Sequence, residues 1–280
     1  MPQLEGTIEA APLLGGRLFW VHAGRPEDAV VNAVFAELDA AHSSGDGGPI
    51  GVCFAVEEPD AGAEVVWPGT ELLLAGHLYD GRQVRIRYFE DAIIGPAASG
   101  APTARQMLDA DYSLGDRYSV VPFAESGVDA EDVIAFWIRE RAMLPEDGEE
   151  EARRRVSELH MVALEGGEKV AGVSTVYLER SEQLRMDLWH YRAFVGREHR
   201  ASNIASRFAL DAPALLAERY VSGEDRRGAG VLFEIENEIL KTYLNRAVWL
   251  PSNFFFIGEN GRGDHLRVHY FPGAVVPAAS

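Results

Sequence analysis

The sequence predicts a mixed α+β protein, and three observations carry that prediction. In the second half of the chain, over residues 118 to about 274, helices alternate with strands only toward the end, so its sheet should be mixed and not all parallel. One strand of that half passes through a short basic loop straight into a helix. A hairpin-like segment also occurs twice, 182 residues apart and without a gap.

Taken in order, residues 18–21 read as an apolar strand, 29–41 as a helix and 51–57 as a second strand. Residues 67–89 form a hairpin, because two β-rich runs flank a Gly-containing turn. Residues 95–102, small and proline-rich, read as a linker. Residues 118–123 are a short strand. Asp129 then stands at a cap position before a helix whose apolar side is Val133, Ile134, Phe136, Trp137 and Ile138. Residues 149–159 make a second helix with an arginine-rich face, and the acidic run 146–151 is its solvated start. A hairpin follows, 161–164 and 170–178, and then the strand 189–195. Past the basic loop, Ile204, Phe208 and Ala209 share one side of a helix, and Asp211 with Pro213 should restart it, since proline suits a first turn. Residues 231–236 alternate Leu232, Glu234 and Glu236 against Val231, Phe233 and Ile235. Residues 239–244 are helical, and two strands close the chain.

The repeated segments are WPGTELLLAGHLYDGRQVRIRYF from Trp67 and WLPSNFFFIGENGRGDHLRVHYF from Trp249. Trp67/Trp249, Gly76/Gly258, Gly81/Gly263, Arg85/Arg267, Tyr88/Tyr270 and Phe89/Phe271 coincide. Upstream, residues 51–57 echo 230–236, with a linking segment three residues shorter in the first copy. The strand 18–21 and helix 29–41 parallel 188–195 and the helix after it. This reads as a duplicated unit whose first copy has lost its opening strands and much of one helix. The first copy also lacks the basic loop: Ala23-Gly24-Arg25-Pro26-Glu27-Asp28 is acidic there, and the breaker-rich 58–62 replaces a helix. The expected division is a structural half over 1–110 and a functional half over 111–280.

Composition narrows the function. A chain of 280 residues, 47% hydrophobic, can bury one large core or two modest ones. The net charge is −18 and no basic stripe is present, which argues against a nucleic-acid partner. That acidity suits a cationic amine drawn in by the field. No apolar run is long enough for a membrane span, and the start lacks the order of a secretory signal. Cys53 is the only cysteine, which excludes an internal disulfide and a Cys-based zinc site and makes the cytoplasm the expected address. His265 and His269 share a strand face but stand about 13 Å apart, too far for one metal, so no metal is expected. No nucleophile elbow, zinc-binding His pair or P-loop is present.

The chemistry lies in the basic loop. Residues 195–205 read Val-Gly-Arg-Glu-His-Arg-Ala-Ser-Asn-Ile-Ala. A strand that ends in such a loop and opens a helix leaves several backbone N–H groups unpaired at the positive end of the dipole, which suits a pyrophosphate. The spacing of Arg200, Ile204 and Ala205 resembles the acyl-CoA loop of the GNAT superfamily of N-acetyltransferases, Arg/Gln-x-x-Gly-x-Gly/Ala, with Asn203 where that family has glycine. The order strand, two helices, three strands, helix, strand, helix, two strands is similar to the whole GNAT domain over residues 118 to about 274.

The resemblance implies a GNAT acyl-CoA N-acyltransferase fold in tandem with a truncated N-terminal half-repeat. It implies direct transfer of an acetyl group from acetyl-CoA to the primary amine of a small molecule or peptide. Arg200, Ala201, Ser202, Asn203, Ile204 and Ala205 would then bind pyrophosphate, and the backbone at Phe194 and Val195 would pair with the pantetheine arm. Asn237 occupies the place of the asparagine that often precedes the family's last helix. Tyr243, late in that helix, would be the general acid, a phenol being close to a thiol in acidity, or else a core tyrosine. Glu234 and Glu236 share a strand face, and either is the base or a partner for arginines such as Arg192. Arg200 has a surface salt bridge as its other reading. The alternatives for the chain are a non-catalytic CoA-binding module and a protein-interaction platform around Trp67, Trp249 and the acidic surface. A homodimer is compatible with the sequence.

Overall fold

Two sheets organise the chain, and they are wound alike. The computed structural model describes residues 6–11, 16–21, 28–42, 50–57, 62–67, 69–95, 99–142 and 148–277. The first sheet contains β1 (Gly6–Ala11), β2 (Gly16–Val21), β3 (Gly51–Val56), β4 (Val66–Trp67), β5 (Leu72–His77) and β6 (Gln83–Tyr88), with helix α1 (Asp28–His42) between β2 and β3. Its strand order is β1-β2-β3-β6-β5-β4. A short helix, α2 (Ala104–Leu108), follows, closed by a capping box between Thr103 and Gln106.

The second half runs β7 (Tyr118–Pro122), α3 (Ala130–Glu140), α4 (Gly148–Arg155), β8 (Leu159–Glu165), β9 (Lys169–Ser181) and β10 (Met186–Val195). It continues with α5 (Ile204–Ser222), β11 (Gly230–Ile235), α6 (Glu238–Tyr243), β12 (Val248–Trp249), β13 (Phe254–Glu259) and β14 (His265–Tyr270). Apart from the two-residue β12, this is the element order the GNAT resemblance implies. The sheet order is β12-β13-β14-β11-β10-β9-β8-β7, mixed as expected: β10 and β11 are parallel and every other pair is antiparallel.

Corresponding contacts of the two hairpins fall at the offset seen in the sequence, and the strand upstream of each follows with the three-residue difference noted there. Both hairpins carry a bulge at the same place, Leu74/Gly76 and Phe256/Gly258. Arg85 and Arg267 are buried side chains that donate to backbone carbonyls, Arg85 to Glu64 and Val65, Arg267 to Arg246 and Ala247. A Cβ on Gly51 would meet the Arg87 carbonyl oxygen at 2.6 Å, and one on Gly230 would run into the His269 carbonyl, so each strand is glycine where it crosses its neighbour.

The two sheets also embrace reciprocally. Tyr88 donates to the Phe256 carbonyl at 2.9 Å, and Tyr270 to the Leu74 carbonyl at 2.8 Å. Glu64 bridges Val275 as Ile93 bridges Arg246. Gln183, in the β9–β10 turn, donates its amide to the carbonyls of Ala75 and Ile257 at 2.7 and 2.6 Å, one from each bulge. Leu74, Ala75, Ile86, Leu184, Met186, Leu232, Phe255 and Val268 form the shared core between the sheets. The opposite face of the second sheet packs Trp189, Tyr191 and Phe254 in one cluster with Phe208 of α5, and α3 covers the β8–β9 end, its Val133 and Phe136 clustering with Val162 of β8 and Ala152 of α4.

Several expectations need correction. β1 is present beside β2, so the first half keeps one more strand than the sequence suggested. α5 is continuous, with Pro213 inside it and no restart. Proline forfeits one backbone hydrogen bond, but Ala212, Pro213 and Leu216 are buried in this helix, and tertiary packing holds it through the defect. α4 ends at Arg155, since a 3₁₀ turn follows and Leu159 is drawn into pairing with Thr175. Asp129 sits at the N-cap of α3 without a side-chain cap bond, and Ile138 is 48% exposed instead of lying on the apolar face. Trp249 is core, its indole under Arg267 at 4.3 Å and its N–H on the Leu244 carbonyl, so it forms no surface platform. Residues 23–27 of the first copy's loop, 58–61, 96–98 of the linker and 146–147 of the acidic run lie outside the described residues.

Candidate functional site

β10 and β11 pair over only three residues, Trp189 with Val231, His190 with Leu232 and Tyr191 with Phe233. β10 then continues to Val195 on the β9 side alone, while β11 continues to Ile235 on the β14 side. The two parallel strands part after Tyr191 and Phe233. A parted pair exposes backbone donors and acceptors that a sheet would otherwise use, and these can receive an extended ligand. Phe194 and Val195 lie on one side of that opening, Glu234 and Ile235 on the other.

The basic loop sits at the end of the same strand. A 3₁₀ turn over Arg197–His199 leads to α5, which begins at Ile204. Two of the six loop amides expected to face a ligand are used internally: Ser202 N–H bonds the His199 carbonyl, and Ile204 N–H bonds Ser202 Oγ at 3.4 Å. The amides of Arg200, Ala201, Asn203 and Ala205 have no partner among the described residues. They stand at the positive end of a helix of 19 residues, which fits a polyanion.

Asn203 does not fill this place with its side chain. Its amide group donates to the carbonyls of Asp111 and Ser113 at 2.9 and 3.0 Å, turning toward the segment before β7. Tyr118 and the buried His199 tie the same two regions together, hydroxyl to Nδ1 at 3.0 Å. Arg200 makes no salt bridge among the described residues; its Nε donates to the Val195 carbonyl at 3.4 Å and its guanidinium lies toward the Phe194 ring. Arg197 N–H donates to Glu140, a bond that holds the Glu140 carboxyl below the usual range.

The candidate chemical groups are less gathered than the sequence suggested. Glu234 and Glu236 both lie toward Arg262, at 3.2 and 3.7 Å, and not Arg192. Glu236 falls just beyond β11 and its side chain is 74% exposed. Tyr243 closes α6 at 45% exposure and is not core. Asn237 caps α6, its Oδ1 accepting from Ile239 and Leu240 N–H at 2.9 and 3.3 Å, so its carbonyl is committed to the helix.

Beside the parting lies a floor of which the sequence singled out only Arg192. Tyr177 lies opposite His190, their rings 5.1 Å apart. The Arg192 guanidinium stacks 4.3 Å above the Tyr177 ring and bonds Glu158 at 3.2 Å. Burial pushes the Tyr177 phenol up, with Arg192 opposing and Glu179, Glu234 and Glu158 adding to the rise. Burial lowers the His190 pKa, so the ring is neutral near pH 7. The polar residues 190 and 192, two apart in an apolar strand, were the available signal; Tyr177 and Glu158 join them only through strand register.

No family model matches the chain, and no curated protein does. Solved structures of GNAT acetyltransferases match it over roughly half its length. A GCN5-related N-acetyltransferase from Kribbella flavida is 14% identical, covers 46% of this chain and 32% of its own, and has a TM-score of 0.30; this chain thus spans about a third of that relative. A ribosomal-protein-alanine N-acetyltransferase from Brucella melitensis biovar Abortus 2308 is 13% identical over 45% of this chain and 83% of its own, TM-score 0.30. A GNAT family acetyltransferase from Brucella melitensis, in complex with acetyl-CoA, is 10% identical over 59% of this chain and 94% of its own, TM-score 0.32.

Proposed function

We propose that the second half of the chain, residues 111–280, is an N-acetyltransferase that moves an acetyl group from acetyl-CoA to the primary amine of a small molecule or peptide. The observation that carries this reading is the parting of β10 from β11 immediately before a helix whose first amides are unclaimed. One feature takes an extended arm and the other a diphosphate, in the order a coenzyme thioester presents them. Acetyl-CoA would supply an activated acyl group. The amine nitrogen gains the acetyl carbon, the thioester C–S bond breaks, the amine's proton leaves to a base and the sulfur gains one. Glu234 is the candidate base because it borders the parting. Tyr243 is the candidate acid, its side chain 45% exposed at the end of α6. The first half, residues 1–110, is the structural remnant of a duplicated unit, which the reciprocal contacts at one offset support.

A second reading is a CoA-binding module without catalysis, favoured by the attachment of both glutamates to Arg262. One pair of measurements separates the two. Acetyl-CoA should raise the melting temperature, since a ligand of the native state stabilises it, and Arg200→Glu should abolish that rise. Thiol release in a screen of amines, antibiotics, polyamines and peptides then supports transfer. Protection without thiol release supports the module, and no protection at all removes both.

A further inference from the structure

Were the β10–β11 ladder to continue one step past Tyr191 and Phe233, its next pair would be Arg192 and Glu234. Both belong to the sheet face that carries His190 and Leu232, so opposite charges occupy the two lips where the strands part. They do not bond each other. Glu234 is held by Arg262 at 3.2 Å, and Arg192 by Glu158 at 3.2 Å.

Arg192 is fixed with donors to spare. Its guanidinium lies on the Tyr177 ring, and one nitrogen, Nη1, bonds a Glu158 carboxylate whose side chain is only 12% exposed and which also meets Arg154 at 3.4 Å. Nε and Nη2 bond no described residue, and the side chain is 39% exposed. A guanidinium with one edge anchored and another open offers the planar fork that a carboxylate fills. The neighbouring His190 is neutral near pH 7 and does not compete for an anion.

We propose that the acceptor is a small amino acid, its carboxylate bound by Arg192 on one lip and its ammonium directed to Glu234 on the other. This rests on the acetyl-transfer reading of the cleft and makes its substrate class zwitterionic, in place of the cationic amine that the overall charge suggested. Glu158 is a positioning residue: it aims Arg192 and does not touch the acceptor.

The test uses the whole chain, the standard amino acids, and the carboxamide of each, which keeps the ammonium and lacks the carboxylate charge. Thiol release from acetyl-CoA gives kcat and KM, and calorimetry with CoA present gives binding. The acids should bind at least about tenfold more tightly than their amides, the value of one charge-assisted pair. Arg192→Met should erase that preference, and Arg192→Lys should retain part of it, since an ammonium keeps the charge without the fork. Glu158→Gln should raise KM for the acids, leave the amides unchanged and preserve the fold. Equal treatment of acids and amides, binding of neither, or a preference that survives Arg192→Met overturns the proposal, while thiol release from any amine still upholds acetyl transfer. Preferential binding of acids with no thiol release upholds the carboxylate site and removes the transfer reading.

Discussion

His160 makes the fold acid-sensitive in a way that can be measured. It lies on β8 beneath α5 at 7% exposure, with Nε2 3.4 Å from the Ala212 carbonyl oxygen. Burial pushes its pKa down to about 4. As pH falls through about 6.5 the unfolded chain takes up a proton that the folded protein refuses until about 4. The unfolded state therefore binds more protons across that window, and stability falls as pH falls. A shift of about 2.5 units corresponds to about 3.4 kcal/mol once pH is below both values, of which about 2 kcal/mol is lost between pH 7 and 5. His265, also lowered to about 4 by burial, adds a loss of the same sign. Glu151, held at about 2 by hydrogen bonds from Arg154 and Arg155, keeps its stabilisation above the ordinary carboxylate pKa and loses it as pH falls from there through about 2, below this interval. Urea unfolding of the wild type and of His160→Gln, which keeps a donor for Ala212, should be compared at pH 7 and pH 5. The variant should lose about 2 kcal/mol less than the wild type between the two pH values. If the two proteins lose the same amount to within about 0.5 kcal/mol, His160 is not held neutral by burial and the reasoning fails.

Three further outcomes are expected. Tyr88→Phe and Tyr270→Phe should each destabilise by about 1–2 kcal/mol in chemical unfolding, because each leaves a buried carbonyl without its donor. Equal costs would match their reciprocal placement, and a negligible cost for either would show that bond to be absent in solution. Asn203→Gly should speed hydrogen exchange in the segment before β7, which loses two bonds, while acetyl-CoA still protects the protein from heat; loss of that protection would mean Asn203 contacts the coenzyme. Tyr243→Phe should reduce kcat by about 10²-fold or more if the phenol is the acid. Its stability should stay within about 0.5 kcal/mol, since the side chain is half exposed. An unchanged kcat would remove Tyr243 from the chemistry.

Much of the second half was legible because local signals agreed with one another. Alternation placed Glu234 opposite Phe233 on its strand, the Arg-x-x-Asn-x-Ala spacing marked the loop before α5, and the matching segments each held one of the hairpins. Pro213 misled because propensity is local, whereas its helix is held by packing in the core beneath it. β1 escaped notice because a six-residue strand with few apolar side chains acquires its identity from β2 beside it.

By itself the sequence determined the order of strands and helices in the second half, apart from the two-residue β12, together with the basic turn that leaves amides unpaired and the similarity of two hairpins 182 residues apart. Those are properties of neighbouring residues, and periodicity and spacing record them. The tertiary structure alone decided where β10 leaves β11, that Glu234 meets Arg262 while Arg192 meets Glu158, and that Gln183 joins the two bulges. Each depends on strand register or on contacts between residues far apart in the chain, and a one-residue slip in register would turn every such side chain to the other face.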